Sequence, residues 1–442
     1  MGYLKMFDSL LSRFVQADVR EFTLNNRLAI VLITLVIASS FGVLTPDLEA
    51  AVELEDLELD QHASSTSSGN RFNQLFWITL MGISIFSILR DPMRFRRLIF
   101  NQWPLLLLIA VATTSVLWAI APGIAFRRSI LLICVATSIF TGICYLRSPY
   151  QIPLIVYRVG TLGLGLNILA IGLGSFDIEG YFYGIHGHKN VLGAVALMAL
   201  FFGFAARAFN KSQINSLFNT LYLLGWFGIL LISVSKTSIA LFFLVPGLVF
   251  GAQFLARNFR INLGLLMLST TLTLVGIVMI ILLYSDLHIK QFLELFVADA
   301  GFTGRDFIWA FLLDQIDKHW YLGHGYGSFW GIGIHSPNIV YGRGFLTLLN
   351  QGHNGYLDLW AKLGILGISI YAIVLVQFSR QSGYIQDLYP GLFTLCWILL
   401  LLTLLHNITE SSIMRGGHSL WVIQLLIIGL IARLAMDKEK YA

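Results

Sequence analysis

The residues of this chain that could do chemistry stand in short polar segments beside long apolar runs. Lys236 sits in SVSKTS, Arg305 in TGRDFIW, His188 and Lys189 in GIHGHKN, and Arg127 and Arg128 in APGIAFRRS. His353 opens HNGYLDLW, followed by Asn354 and Tyr356. A Lys or Arg at the edge of an apolar run can simply snorkel to the membrane surface. Several of them, each beside Gly, Ser or Thr, instead suggest an anionic ligand held there, such as a lipid-linked phosphate. His353 reads two ways on its own: a capping or interfacial histidine, or a base working near neutral pH.

The other polar residues call for less. His319, His324 and His335 are irregularly spaced in no carboxylate-rich setting, so they read as loop histidines and no metal is implied. GHGYGSF lacks the Gly-Lys-Ser/Thr ending of a phosphate loop, and its glycines are expected to let backbone segments pack closely. Trp309, Trp320, Tyr321, Tyr326, Phe329 and Trp330 read as a membrane-interface belt, ahead of a sugar-stacking platform.

The elements that must position these residues are helices in a bilayer. The 442 residues are 57% hydrophobic and 12% charged, about half the charged share of a soluble domain. Spanning structures are helices or closed barrels, and continuous rather than alternating apolar runs select helices. The expected fold is an all-α integral membrane protein, one polytopic domain over 1–442 with about twelve spans. A long, partly helical periplasmic loop, 286–351, separates the ninth and tenth spans, and an acidic loop, 46–73, follows the first. Cys134, Cys144 and Cys396 lie inside apolar runs, as core cysteines do. The net charge of +5 needs no nucleic-acid partner. Basic residues gather in alternate linkers, with Arg90, Arg94, Arg96 and Arg97 the densest group, which sets both termini in the cytoplasm. Lys236, Arg305 and His353 then share the outer side.

In order and spacing these segments resemble the O-antigen ligase and polymerase superfamily, membrane enzymes that move glycans off a polyprenyl diphosphate. LWAIAPGIAFRRS resembles its Trp-Ser-x-x-Pro segment and basic pair. SVSKTS resembles its Ser-Arg-Thr/Ser turn, and TGRDFIW with YLGHGYGSF its Gly-Arg-x-x-x-Trp and Gly-x-Gly-x-x-x-Phe pair. HNGYLDLWAKLGILG resembles its His-Asn-x-Tyr-Leu helix start. GIHGHKNVLG, with Glu410 in ITESS, is closest to the exopolysaccharide polymerase branch. The resemblance implies a bacterial inner-membrane glycosyltransferase with its active site facing the periplasm or exterior. Such an enzyme transfers glycan from undecaprenyl diphosphate to an acceptor hydroxyl with inversion, without cofactor or metal. It implies Arg305 and Lys236 at the diphosphate and His353 as the base. Arg127, Arg128, His188, Lys189, Asn354, Tyr356 and Glu410 are the expected substrate-binding residues. Lys236 departs from the family's Arg, replacing a two-pronged grip by a point charge. The implied partners are a lipid-linked oligosaccharide donor, a glycan acceptor and membrane lipids, with a chain-length regulator and a flippase nearby. Ligation to lipid A core is the alternative to polymerisation, and small-anion transport is the alternative of another class.

The orientation is testable by itself. A phosphatase reporter fused after Lys318 is expected to report the periplasm. A cytoplasmic readout would overturn the shared outer side of the candidate residues.

Overall fold

The computed structural model describes residues 23–47, 71–176, 180–259, 263–284 and 304–438. The acidic loop 46–73 and the 286–303 part of the long loop lie almost wholly outside them. The described residues are built of helices, with only isolated bridges between extended residues. In chain order, α1 is Thr23–Ser40, α2 Arg71–Arg90, α3 Pro92–Phe100, α4 Trp103–Thr114 and α5 Pro122–Tyr145. Next come α6 Gln151–Leu173, α7 Lys189–Phe209, α8 Ser216–Ile232, α9 Lys236–Phe259 and α10 Leu263–Tyr284. The long loop carries α11, Arg305–Lys318, before α12 Gly355–Ile385, α13 Pro390–His406 and α14 Ser419–Lys438.

Among the described residues, eight helices are long and apolar enough to cross a membrane. A ninth span exists if α3 is taken with Trp103–Trp118, two helices meeting at 86°. The third expected span, near 103–120, is therefore one arm of a bent pair. Pro104 in the first turn of α4 favours a fresh helix start there. The apolar helices α8 and α13 are short, at 17 residues each. Every apolar run expected to span falls on a helix, and among the described residues length and composition single out eight or nine spans of the twelve expected.

The core sits around α14. Its candidate span is entirely buried, whereas only 22% of the α2 and α9 windows is buried. A helix apolar on all sides belongs inside a bundle, and α14 packs on α5, α12 and α13. Polar side chains join the helices. Gln424 donates to the Tyr371 hydroxyl at 2.6 Å, Trp226 to Gly160 O at 3.1 Å and Trp397 to Ser382 Oγ at 3.1 Å. Such bonds substitute for the hydrophobic drive that lipid removes.

Two local features position the site. First, α11 packs on α12 through a second apolar cluster containing Ile308, Trp309, Leu312, Phe329, Trp330 and Leu357. Trp309, Phe329 and Trp330 are thus buried, and Tyr326 is buried in the main core, so only Trp320 and Tyr321, each more than half exposed, keep the expected belt position. Second, α12 is broken at Gly364, whose backbone has φ 64° and ψ −168°. The 319–325 loop supplies partners at the break. Ile365 N donates to Trp320 O (2.8 Å), His324 N to Ala361 O (2.9 Å) and Gly325 N to Lys362 O (3.0 Å). At Gly323 a Cβ would strike the Lys362 backbone at 2.5 Å. The glycines of YLGHGYGSF thus serve close backbone packing, as expected.

Gly364→Ala would force alanine into a backbone region essentially reserved for glycine, at about 1–3 kcal/mol, and drive its Cβ into the Tyr321 carbonyl. Gly82, inside α2, has nothing within 4 Å of a Cβ. Gly82→Ala should be neutral or stabilising by up to about 1 kcal/mol. Thermal unfolding in detergent should therefore fall only for the Gly364 variant.

Candidate functional site

The loop between α13 and α14 organises the site. Asn407, just after α13, turns the chain back: its Oδ1 accepts from Ser412 N (2.7 Å) and Ile413 N (3.1 Å). The same loop holds the start of α12. Gly355 N donates to Asn407 O at 2.8 Å, Asn354 N to Ser411 Oγ at 3.1 Å and Asn354 Nδ2 to Ile408 O at 3.2 Å. Asn354 is the N-cap of α12, its Oδ1 accepting from Tyr356 N and Leu357 N. The capping role considered for His353 therefore belongs to Asn354.

Glu410 is the residue on which the other segments converge. Its side chain is 9% exposed. Oε1 accepts from Arg305 Nη2 at 2.9 Å and from Asn190 Nδ2 at 2.6 Å. Oε2 lies 3.2 Å from His353 Nδ1 and 3.3 Å from Gln351 Nε2. An ionised carboxylate only accepts, so Nδ1 of His353 is the donor and its Nε2 is left as the basic atom. Burial pushes the Glu410 carboxyl up. The His353 hydrogen bond and the positive charges of His353, Arg305 and His406 outweigh it and bring the value down to about 2.

Lys236 begins α9 and is exposed. Its neighbours join the same cluster: Ser235 Oγ donates to Asn190 Oδ1 at 3.1 Å, and Thr237 Oγ1 lies 3.3 Å from Thr409 Oγ1. Among the described residues, the non-glycine ones with positive φ are Val234 (φ 51°), His353 (φ 48°) and Met414 (φ 54°), one in each of three segments that meet here. Strained residues held this way collect at functional sites.

Beside Glu410 opens a cavity of about 710 Å³. Its walls include Arg128, His188, Gln351, Lys362, Glu410 and Arg415. Arg305, His353 and Lys236 are not in its wall, so the cavity ends at the Gln351–Glu410 pair that His353 contacts. His418 also lines it. Burial, with Arg415 and His406 adding positive charge, lowers its pKa to about 3, so it is neutral at physiological pH. Among the described residues no group of His, Cys, Asp and Glu is arranged to hold a metal ion.

The other expected substrate-binding residues have roles in the fold. Arg128 donates to Gly327 O (2.6 Å), Trp330 O (2.7 Å) and Gly331 O (2.7 Å), tying the long loop to α5. Tyr356 donates its hydroxyl to Leu404 O at 2.8 Å, joining α12 to α13. His188 caps α7, its Nδ1 accepting from Asn190 N at 3.2 Å while it faces the cavity. Lys189 stacks on Tyr181, its Nζ 3.1 Å from the ring centroid. Arg127 is exposed on α5. The candidates missed from sequence are Asn190, Gln351, Lys362 and Arg415. Asn190 ends the motif GIHGHKN already singled out, and Gln351 lies two residues before HNGY. Lys362, inside HNGYLDLWAKLGILG, and Arg415, in the loop before α14, gave no signal beyond their charge.

Residues 218–372 match the O-antigen ligase family. No curated protein matches the chain. The matched stretch contains Lys236, Arg305 and His353, whereas Glu410 and Asn190 lie outside it.

The Glu410 cluster carries a pH signature. Its folded-state pKa lies below the ordinary 4.5, so the unfolded chain takes up the proton first as pH falls. The contribution is fully present above about pH 4.5 and is lost as pH falls towards about 2. It is on the order of 3 kcal/mol. Thermal unfolding followed over that window should show a fall in wild type that Glu410→Gln largely removes.

Proposed function

Through residues 218–372 the chain belongs to the O-antigen ligase/polymerase superfamily, and from that premise we propose that it transfers a glycan from undecaprenyl diphosphate to an acceptor hydroxyl. One observation carries the residue roles: a single buried carboxylate, Glu410, holds a guanidinium and an imidazole in the same site. Arg305 meets the donor diphosphate with the face of its guanidinium that Glu410 leaves open, and Lys236 adds a second cation at the head of α9. His353 takes the proton of the acceptor hydroxyl on Nε2. The hydroxyl oxygen attacks the anomeric carbon as the bond to the diphosphate oxygen breaks, with inversion. The electron pair leaves on the diphosphate, where the cations stabilise it. Glu410 acts through His353, fixing its tautomer and ring, as carboxylate–histidine pairs do elsewhere.

The acceptor enters the cavity, whose wall reaches Glu410 and Gln351. We read the product as exopolysaccharide or O-antigen polymer, since GIHGHKN and ITESS, the segments closest to the polymerase branch, supply Asn190 and Glu410 to the cluster. Ligation to lipid A core uses the same chemistry, and the glycan left in a deletion strain tells them apart. Single repeats on lipid mean polymerase, and polymer held on undecaprenyl diphosphate means ligase. The site faces the periplasm in this reading.

His353→Asn tests the base without disturbing the backbone. Asparagine tolerates the left-handed conformation of this position, and the helix cap is Asn354. The variant should accumulate normally and lose about 10²–10⁴-fold in reconstituted transfer rate. Arg305→Ala should abolish transfer, while Lys236→Arg should retain substantial activity. Near-normal polymer from either His353→Asn or Arg305→Ala would remove that residue from the mechanism.

A further inference from the structure

The cavity holds cationic donors that the transfer step leaves unused. Arg415 donates from Nη1 to Gln351 Oε1 at 2.7 Å and to Ser411 O at 3.5 Å. Its Nε and Nη2 have no hydrogen-bond partner among the described residues. Lys362, 12% exposed on α12, has its Nζ 3.8 Å from Asp358 Oδ2, beyond hydrogen-bond distance. Asp358 is already engaged, accepting from Trp330 Nε1 at 2.7 Å and from Gly352 N at 3.2 Å. His406, 2% exposed and also in the cavity wall, has both ring nitrogens without a partner among the described residues.

The accounting of charge has one sign. Arg128 is engaged by three carbonyl oxygens, and Glu410 by Arg305, Asn190, His353 and Gln351. Among the described residues, the Lys and Arg groups still open to the cavity are the donors on Lys362 and Arg415, beside the unpartnered imidazole of His406. Sequestered cations whose donors are only partly met, Arg415 by Gln351 and Ser411 and Lys362 by a long ion pair with Asp358, are costly, and a planar oxyanion would satisfy the fork of Arg415 together with the ammonium of Lys362. Gln351 places this pair next to the transfer site, since it accepts from Arg415 and contacts Glu410.

We propose that Arg415 and Lys362 form an oxyanion subsite for a carboxylate carried by the glycan that enters the cavity. The proposal rests on the glycan-transfer reading and adds the substrate class, an acidic saccharide. The oxyanion chemistry alone would also suit the donor's diphosphate. The glycan is favoured because Arg305 and Lys236, assigned to the diphosphate, are not in the cavity wall, whereas Arg415 and Lys362 are. A cavity of about 710 Å³ falls in the range of small-ligand sites.

The test is calorimetric binding to the full chain in lipid nanodiscs, with no turnover required. Trigalacturonate should bind at least about tenfold more tightly than its neutral methyl ester, the worth of a charge-assisted hydrogen bond. Lys362→Met should erase that preference and leave undecaprenyl diphosphate affinity unchanged. Arg415→Gln should lower the preference and Arg415→Lys should keep most of it. Equal binding of acid and ester overturns the subsite, as does absence of acid binding at millimolar concentration. Loss of undecaprenyl diphosphate affinity in Lys362→Met, with the acid preference intact, assigns the cations to the lipid and overturns it too. Should Lys362→Met fail to fold, the wild-type acid-to-ester ratio still decides. Failure of the transfer reading would appear in His353→Asn and Arg305→Ala turnover, which this ratio does not involve.

Discussion

The site depends on one buried carboxylate. Asn190, Arg305 and the Gln351–His353 segment lie far apart in the chain, and all four residues have a polar atom on Glu410. In a low-dielectric interior such a cluster is stable only when its members are all satisfied. Removing the carboxylate would leave a guanidinium and an imidazole without their counter-charge, the costly way to break a buried pair. Convergence also explains the backbone. His353 and Met414 hold left-handed conformations because the loops carrying them are tied at both ends, by the Asn354 cap and the Asn407 turn.

The break in α12 is the second constraint, and it serves the same end. A bilayer tolerates non-helical backbone only where protein or a cavity surrounds it. Here the 319–325 loop covers the interrupted turn with its own backbone groups. The α12 segment before the break carries Asp358 and Lys362 to the cavity side of the long loop. Interrupted helices are also a mark of transporters, whose breaks meet at the bilayer midplane. In this chain the break lies next to the loop-covered end where α5, α7, α9, α12 and α14 all begin, which suits a site worked from one side.

Much of this was legible in the sequence, for identifiable reasons. Apolar runs mark helices because the bilayer leaves the backbone little choice, and each run expected to span is helical. Span number was less legible, because a bent pair such as α3 with α4 and short helices such as α8 look alike in hydropathy. Arg305 and His353 could be picked by the motifs that resemble the O-antigen ligase and polymerase superfamily, TGRDFIW and HNGYL. That Arg128 would be taken up by carbonyls of the long loop could not, since Gly327 and Trp330 lie about two hundred positions away in the chain. Glu410 was singled out as a substrate-binding residue, and its place as the shared partner of Arg305 and His353 was hidden for the same reason: a carboxylate shows what it does only through its partners. Lys362 looked like any lysine near a helix end until the engagement of Asp358 by Trp330 and Gly352 showed its charge only partly met.

The same carboxylate shapes the electrostatics of the proposed reaction. Arg305 paired with Glu410 is close to neutral as a unit, so the pair alone attracts a resting diphosphate weakly. Lys236 supplies the uncompensated charge for binding. When His353 accepts the acceptor's proton it becomes positive against Glu410, and the cluster gains one charge as negative charge grows on the departing diphosphate. Stabilisation that appears only as the bond breaks lowers the barrier, whereas stabilisation already present in the bound donor does not. A carboxylate shared between the guanidinium and the base therefore restrains ground-state binding and leaves the larger gain for the transition state.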